Sequence, residues 1–148
     1  MIYYRNDIRR SGVDGRALVT TAQRLLEALD DTTAALSLSL VGDDAIRSLN
    51  RTYRGKDCAT DVLSFPLDGD AASNSRERLL GDVVISVDTA RRQAAQYGAP
   101  LQRELYRLLI HGLLHLKGHD HVQAAEGRAM RREERRLADA IAMPWPYH

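Results

Sequence analysis

Four of the five histidines of this chain lie in one segment of eleven residues, HGLLHLKGHDH, from His111 to His121. His111 and His115 are spaced i, i+4, so on a helix their Cβ atoms are about 5–6 Å apart and both imidazoles can bind one metal ion. Two histidines at this spacing alone are as often ordinary surface or core residues. The clustering of all four favours a metal site, and nitrogen ligands favour zinc.

A third ligand must come from chain that turns back after this helix. Two ligands of one zinc ion are at most about 4 Å apart, whereas eight further helical residues rise about 12 Å. Gly118 supplies a turn, after which either His119 or His121 can reach the ion, and Asp120 can accept an imidazole N–H as an outer partner. Three histidines leave the fourth position open, which is typical of a catalytic zinc site.

Gly112, the residue after the first histidine of the segment, limits the kinds of reaction that a metal at this site could catalyse. In zinc peptidases with an HExxH motif this position is a glutamate that serves as general base. Its absence disfavours peptide hydrolysis and leaves two possibilities. A metal-activated water could act with a base from elsewhere, or the substrate could be a phosphodiester, attacked by water or a ribose hydroxyl, whose cleavage depends largely on electrostatic stabilisation.

A basic segment supports a phosphate-bearing substrate. Four basic residues and no acidic ones lie between Arg47 and Lys56. Arg47, Arg51 and Arg54 share one helix face, and for the first two a solvated face is an equally good interpretation. Arg54 and Lys56 flank Gly55, where a loop leaves the guanidinium fork available to phosphate. We therefore predict Arg54 as a catalytic residue and Arg47, Arg51 and Lys56 as substrate-binding residues.

The remaining charged residues have simpler interpretations. Asp57 and Asp61 bracket the loop after the basic segment and could hold that loop as readily as act on substrate. The RREERR run at 131–136 is typical of a solvated helix face.

Composition limits the class of protein. The 148 residues, 44% hydrophobic and 28% charged, predict one globular domain spanning 1–148. No apolar run approaches the roughly 20 residues of a membrane span, and without an export signal we expect a cytoplasmic location and no membrane partner. A single cysteine, Cys58, excludes an internal disulfide and a thiolate-rich zinc site. The net charge of +1 means that charge must be interpreted locally.

Periodicity predicts an α+β fold, with a small mixed sheet packed against helices and the metal site on a helix that ends in a glycine turn. Asp14 can cap a first helix, and Leu36, Leu38 and Leu40 alternate with polar residues as in a strand with one buried side. Further helices are predicted over 44–53, 88–98, 101–118 and 123–142, and further strands over 62–65 and 79–87, the latter covered on both sides. Segment 68–75 has the composition of a loop. We see no regular βαβ alternation.

Three segments closely resemble the YbeY family of bacterial endoribonucleases, also called rRNA maturation factors. They are LNRTYRGKDCATDVLSFP at 49–66, LLGDVVIS at 79–86 and the histidine segment at 111–121. The resemblance implies a small α+β domain with one zinc ion bound by three histidines. It also implies cleavage of single-stranded RNA, a role in small-subunit ribosomal RNA maturation and ribosome quality control, and a cytoplasmic location.

The same resemblance implies roles for particular residues. By position, the zinc ligands are His111, His115 and His121, and the functionally important arginine is Arg54. His119 stands where the family accepts tyrosine or histidine. Two alternatives remain open: a zinc-dependent peptidase-like hydrolase, and a non-catalytic zinc-bearing ribosome-assembly factor.

Overall fold

A four-stranded mixed sheet organises the computed structural model of the protein, which describes residues 1–67, 78–119 and 124–145. Its strands are β1 (Ile2–Asn6), β2 (Ala34–Val41), β3 (Val62–Pro66) and β4 (Arg78–Ser86), in the spatial order β1-β2-β4-β3. β1 and β4 both pair with β2 in parallel, and β3 pairs with β4 antiparallel. β3 therefore forms one edge of the sheet.

Five helices complete the described part of the chain: α1 (Gly15–Ala28), α2 (Asp43–Arg54), α3 (Val87–Tyr97), α4 (Leu101–Leu116) and α5 (Ala124–Ala140). The main core joins α1, α4 and α5 to one face of the sheet, and a smaller cluster under α2 covers the other. Val83 packs in the first core and Val84 in the second, as alternation along a strand requires. The small α+β fold with a mixed sheet is thus confirmed, as is the prediction that β4 is covered on both sides.

Local signals placed several boundaries correctly. The Asp14 carboxylate accepts a hydrogen bond of 3.0 Å from the backbone N–H of Ala17, which confirms the predicted cap of α1. Leu36, Leu38 and Leu40 are fully buried in β2. Pro66, expected to stop β3, is its last residue, because a proline on an edge strand costs no internal ladder bond.

β1 was not predicted from the sequence. This strand has only five residues and is mostly exposed, so its apolar signal is weak. Its parallel pairing with β2 across α1 makes a single βαβ unit, and the rest of the described sheet shows no regular βαβ alternation, as expected. The loop predicted at 68–75 lies outside the described residues. Among those that are described, none of the helices is long and apolar enough to cross a membrane.

Candidate active site

The two histidines of α4 are aimed at a common point. The Nε2 atoms of His111 and His115 are 3.1 Å apart, and the ring planes meet at 70°. Two nitrogen ligands of a tetrahedral zinc ion, each about 2.0–2.1 Å from the metal, are separated by roughly 3.3 Å. Both side chains are partly exposed beside the buried face of α4. The pair therefore fits the binding of one zinc ion in both donor type and spacing.

The chain reverses directly after this helix. The backbone N–H of His119 donates to the carbonyl oxygen of Leu114 at 3.0 Å, and the N–H of Gly118 donates to that of His115 at 3.0 Å. Gly118 has a φ of +92°, the left-handed conformation that glycine adopts without a steric penalty. These two bonds form a Schellman motif, which satisfies the last carbonyls of α4 and ends the helix. The predicted glycine turn is confirmed.

The third ligand is not placed by the described structure. His121 and its predicted outer partner Asp120 lie outside the described residues. Within the described ranges, no set of three histidine, cysteine, aspartate or glutamate side chains forms a metal-binding group. Spacing alone allows either His119 or His121 as the third ligand. His121, which the resemblance indicates, therefore stays a prediction.

Gly112 lies where α4 packs most closely on the sheet. A Cβ atom on this residue would come within 2.9 Å of Val83 Cγ1 and 3.1 Å of Ser64 Oγ. The position thus faces the sheet, and any side chain there would collide with it. A glutamate at this position could not serve the metal as in HExxH peptidases, which is a steric reason against the peptidase alternative.

Arg54 and the histidine pair line one cleft of about 220 Å³, together with Thr60, Asp61, Val62 and Ser64. Arg54 is the last residue of α2 rather than part of the following loop. Its Nη2 donates to the carbonyl oxygen of Ser64 at 3.1 Å, its one hydrogen bond to the described residues. This bond orients the guanidinium at the cleft, and no hydrogen bond to the described residues engages its other N–H groups, which could bind a phosphate.

Asp61 is the acidic residue among the described residues that line this cleft, and its carboxylate is already well bonded. Oδ1 accepts hydrogen bonds from the Val62 N–H at 2.7 Å and from the Thr60 hydroxyl at 3.4 Å. Oδ2 accepts a bond of 3.3 Å from the Gln93 amide of α3. Of the two roles left open by the sequence, these contacts favour holding the loop before β3.

The other predicted substrate-binding residues lie apart from the cleft. Arg47 forms two hydrogen bonds with Asp57, at 2.9 and 3.2 Å, and this exposed pair borders a separate surface depression together with Arg51. The hydrogen bond from Arg47 is the main cause that lowers the pKa of Asp57. Arg51 and Lys56 are exposed, and in the described ranges neither forms an ion pair. Helical spacing grouped Arg47 with Arg54, but only Arg54 reaches the histidines.

One functional candidate went unrecognised in the sequence. Glu134 belongs to the RREERR run that was expected to be solvated, yet it is buried, with a relative exposure of 7%. Its Oε2 lies 4.0 Å from His111 Nδ1. Its spacing of i, i+4 and i, i+3 from Met130 and Leu137, which are also buried, was a signal that it belongs to the inner face of α5.

Comparisons with known proteins agree on one family. A family model described as Endoribonuclease YbeY matches residues 4–142. Relatives with that name from an Anaeromyxobacter species, Myxococcus xanthus and Moorella thermoacetica are 54%, 52% and 47% identical over 84%, 82% and 87% of this chain. The matches cover 64%, 42% and 90% of those relatives.

A solved structure supports the fold independently. The solution structure of a protein from Thermotoga maritima superimposes with a TM-score of 0.60 at 23% identity, and the match covers 96% of this chain and 92% of that one. At this identity the likeness concerns the fold alone.

Proposed function

Because the chain belongs to the YbeY family, whose model matches residues 4–142, we propose that it is a zinc-dependent endoribonuclease that cuts single-stranded RNA. The observation that carries the proposal is the cleft in which Arg54 meets His111 and His115. A nitrogen pair suited to zinc stands beside a guanidinium suited to phosphate, and this combination suits the binding and cleavage of a phosphodiester.

The proposed zinc ligands are His111, His115 and His121, with one ion per chain and Asp120 as an outer partner of a ligand imidazole. When bound, the ion supplies a positive charge for phosphate oxygens and lowers the pKa of a water molecule. The first two ligands are held on one rigid helix, which limits the motion of both imidazoles. Gly118 turns the chain so that the third can approach from outside the helix axis.

Arg54 has the complementary role of binding the scissile phosphate. A guanidinium offers two parallel N–H donors to phosphate oxygens and stabilises the negative charge that builds up on them in the transition state. The bond to Ser64 O orients the side chain before substrate binds. Less conformational entropy of the arginine is therefore lost on binding. Arg51 and Lys56 extend the basic surface toward more distant phosphates of the same strand.

The cellular part of the proposal rests on family membership. The relatives carry the name Endoribonuclease YbeY. From the sequence resemblance to that family we further propose a role in small-subunit ribosomal RNA maturation and ribosome quality control in the cytoplasm. We propose ribosomal RNA and the small ribosomal subunit as the partners. A non-catalytic assembly factor that uses zinc only to shape an RNA-binding surface is the remaining alternative.

Cleavage of end-labelled single-stranded RNA by the purified, metal-analysed chain tests this function. We expect cleavage with about one zinc per chain, loss of cleavage with a chelator, and recovery on adding zinc. Arg54→Ala should reduce cleavage by about 100-fold or more while zinc content and Tm stay near wild type. Arg24→Ala, an exposed arginine on α1, is the matched control and should cleave normally.

The lysine variant refines the role of Arg54. Arg54→Lys should recover only part of the activity, because an ammonium group lacks the bidentate fork. RNA binding without cleavage by the wild-type, zinc-loaded chain would favour the assembly-factor alternative. Full activity of Arg54→Ala would remove this residue from the site.

A further inference from the structure

Glu134 is a carboxylate in an unusual place. Its neighbours Arg132 and Arg135 are exposed, whereas its own side chain is only 9% exposed and shares the inner face of α5 with Met130 and Leu137. Removing a carboxylate from water costs several kcal/mol unless polar partners compensate. Burial of this one acidic side chain therefore needs a reason in what it faces.

One group that it faces is the imidazole of His111. The two nitrogens of this ring lie against different partners: Nε2 is 3.1 Å from Nε2 of His115, and Nδ1 is 4.0 Å from Oε2 of Glu134. The second distance is in the range of an ion pair and longer than a hydrogen bond. The ring thus stands between a second candidate ligand on one side and a buried carboxylate on the other.

This arrangement matches the chemistry of a metal-binding histidine. A ligating nitrogen uses its lone pair, so a neutral imidazole that binds through Nε2 keeps its one proton on Nδ1. Nδ1 is also the ring nitrogen that lies 4.0 Å from Glu134 Oε2. A carboxylate there favours this tautomer, restrains rotation of the ring and makes Nε2 a better donor.

We propose that Glu134 is a positioning residue for the zinc site, which acts through His111 and sets its tautomer and orientation. The proposal rests on the zinc site of the proposed function. α5 packs against α4 and α1. Through Glu134, the zinc affinity of the histidines on α4 would therefore depend on how α5 packs.

Zinc affinity measured by competition with a chromogenic chelator tests the proposal. Glu134→Met keeps the approximate length of the side chain, removes the carboxylate and places an apolar group on the helix face shared with Met130 and Leu137. We expect zinc affinity to fall by about 10–100-fold, as for other outer partners of ligand histidines. Glu134→Gln keeps an acceptor oxygen without the charge. Its zinc affinity should lie between that of Glu134→Met and that of wild type.

Glu133→Met is the matched control, because the adjacent Glu133 is more exposed and pairs with Arg136 instead. It should bind zinc like wild type. The Tm of each metal-free variant, and the ¹⁵N shifts of the His111 ring, separate a positioning role from a structural one. In wild type with zinc we expect the proton on Nδ1, and in Glu134→Met a mixture of tautomers in the metal-free state.

The outcomes distinguish this proposal from the one on which it depends. If wild type binds no zinc, both the zinc site and the role of Glu134 are overturned. If wild type binds zinc and Glu134→Met binds it equally tightly, only the role of Glu134 is overturned. A lower Tm with unchanged zinc affinity and tautomer would likewise make Glu134 purely structural.

Discussion

Ser64 and Gly112 join β3 and α4, two of the elements that line the cleft. The Ser64 hydroxyl on β3 donates a buried hydrogen bond of 2.9 Å to the carbonyl oxygen of Gly112 on α4. The carbonyl oxygen of the same serine accepts from Arg54. One residue of the edge strand is therefore bonded both to the guanidinium of α2 and to the helix that carries the histidines.

The close approach at Gly112 makes this position sensitive to a single methyl group. Gly112→Ala should lower the stability by about 1–3 kcal/mol through overpacking, although alanine is about 1 kcal/mol better than glycine in a helix interior. We expect a net loss of stability because the clash of the new Cβ with Val83 outweighs the gain in helix propensity. Thermal or denaturant unfolding measures it, and Ser64→Ala, which loses only the hydrogen bond, should cost about 1 kcal/mol. A Gly112→Ala variant more stable than wild type would mean that α4 can move away from the sheet.

The salt dependence of RNA binding should separate Arg51 from Arg47. Affinity should fall as salt rises, with a modest slope, because few basic residues contribute and the net charge is +1. Arg51→Gln should reduce the slope of log affinity against log salt concentration by about 1. Arg47→Gln should change this slope less, because Asp57 already neutralises the Arg47 side chain. Asp57→Asn should strengthen binding by releasing Arg47. Filter binding or fluorescence anisotropy over a salt series tests this, and equal slopes for both arginine variants would contradict it.

The identity of the third ligand can be decided by two variants. His121→Ala should lower zinc affinity by about 10-fold or more, because even outer partners of a ligand contribute 10–100-fold, while His119→Ala should do much less. His111→Ala should leave the chain without zinc in elemental analysis. Chelator competition on all three variants provides the ranking. A larger effect of His119→Ala would place the ligand there and move Asp120 and His121 to its surroundings.

Asp31 should make stability dependent on pH in the acid range. Burial alone would raise its pKa, but hydrogen bonds from Lys117 and Arg78 outweigh burial and hold the pKa below its ordinary value. A lowered folded-state pKa means that the contribution is fully present above about pH 4 and is lost as the pH falls through the folded-state value.

Asp31→Asn should therefore cost about 1–3 kcal/mol at neutral pH, and the difference from wild type should shrink below about pH 4. The exposed neighbour Asp30 offers the control Asp30→Asn, whose unfolding free energy should follow wild type at every pH. Unfolding in denaturant from pH 3 to 7 measures both. A loss in Asp31→Asn that is the same at all pH values would show that the ionised carboxylate is not what stabilises this site.

Much of the local structure was predictable because it depends on neighbours along the chain. The i, i+4 spacing of His111 and His115 places two imidazoles on one side of any helix that contains them. Gly118 allows the left-handed turn that ends α4, and Asp14 caps α1 through a bond to a residue three positions away. These outcomes require only backbone geometry and short-range hydrogen bonds.

Tertiary structure decided which of the equivalent local arrangements became the site. Arg47 and Arg54 share one helix face by spacing. Arg47 nevertheless pairs with Asp57, whereas Arg54 lines the same cleft as the two histidines. Glu134 lies in a charged run but is buried against His111, 23 positions earlier in the chain. Periodicity defines the faces of an element, whereas the partner of each face depends on how distant segments pack, and that packing is a property of the whole chain.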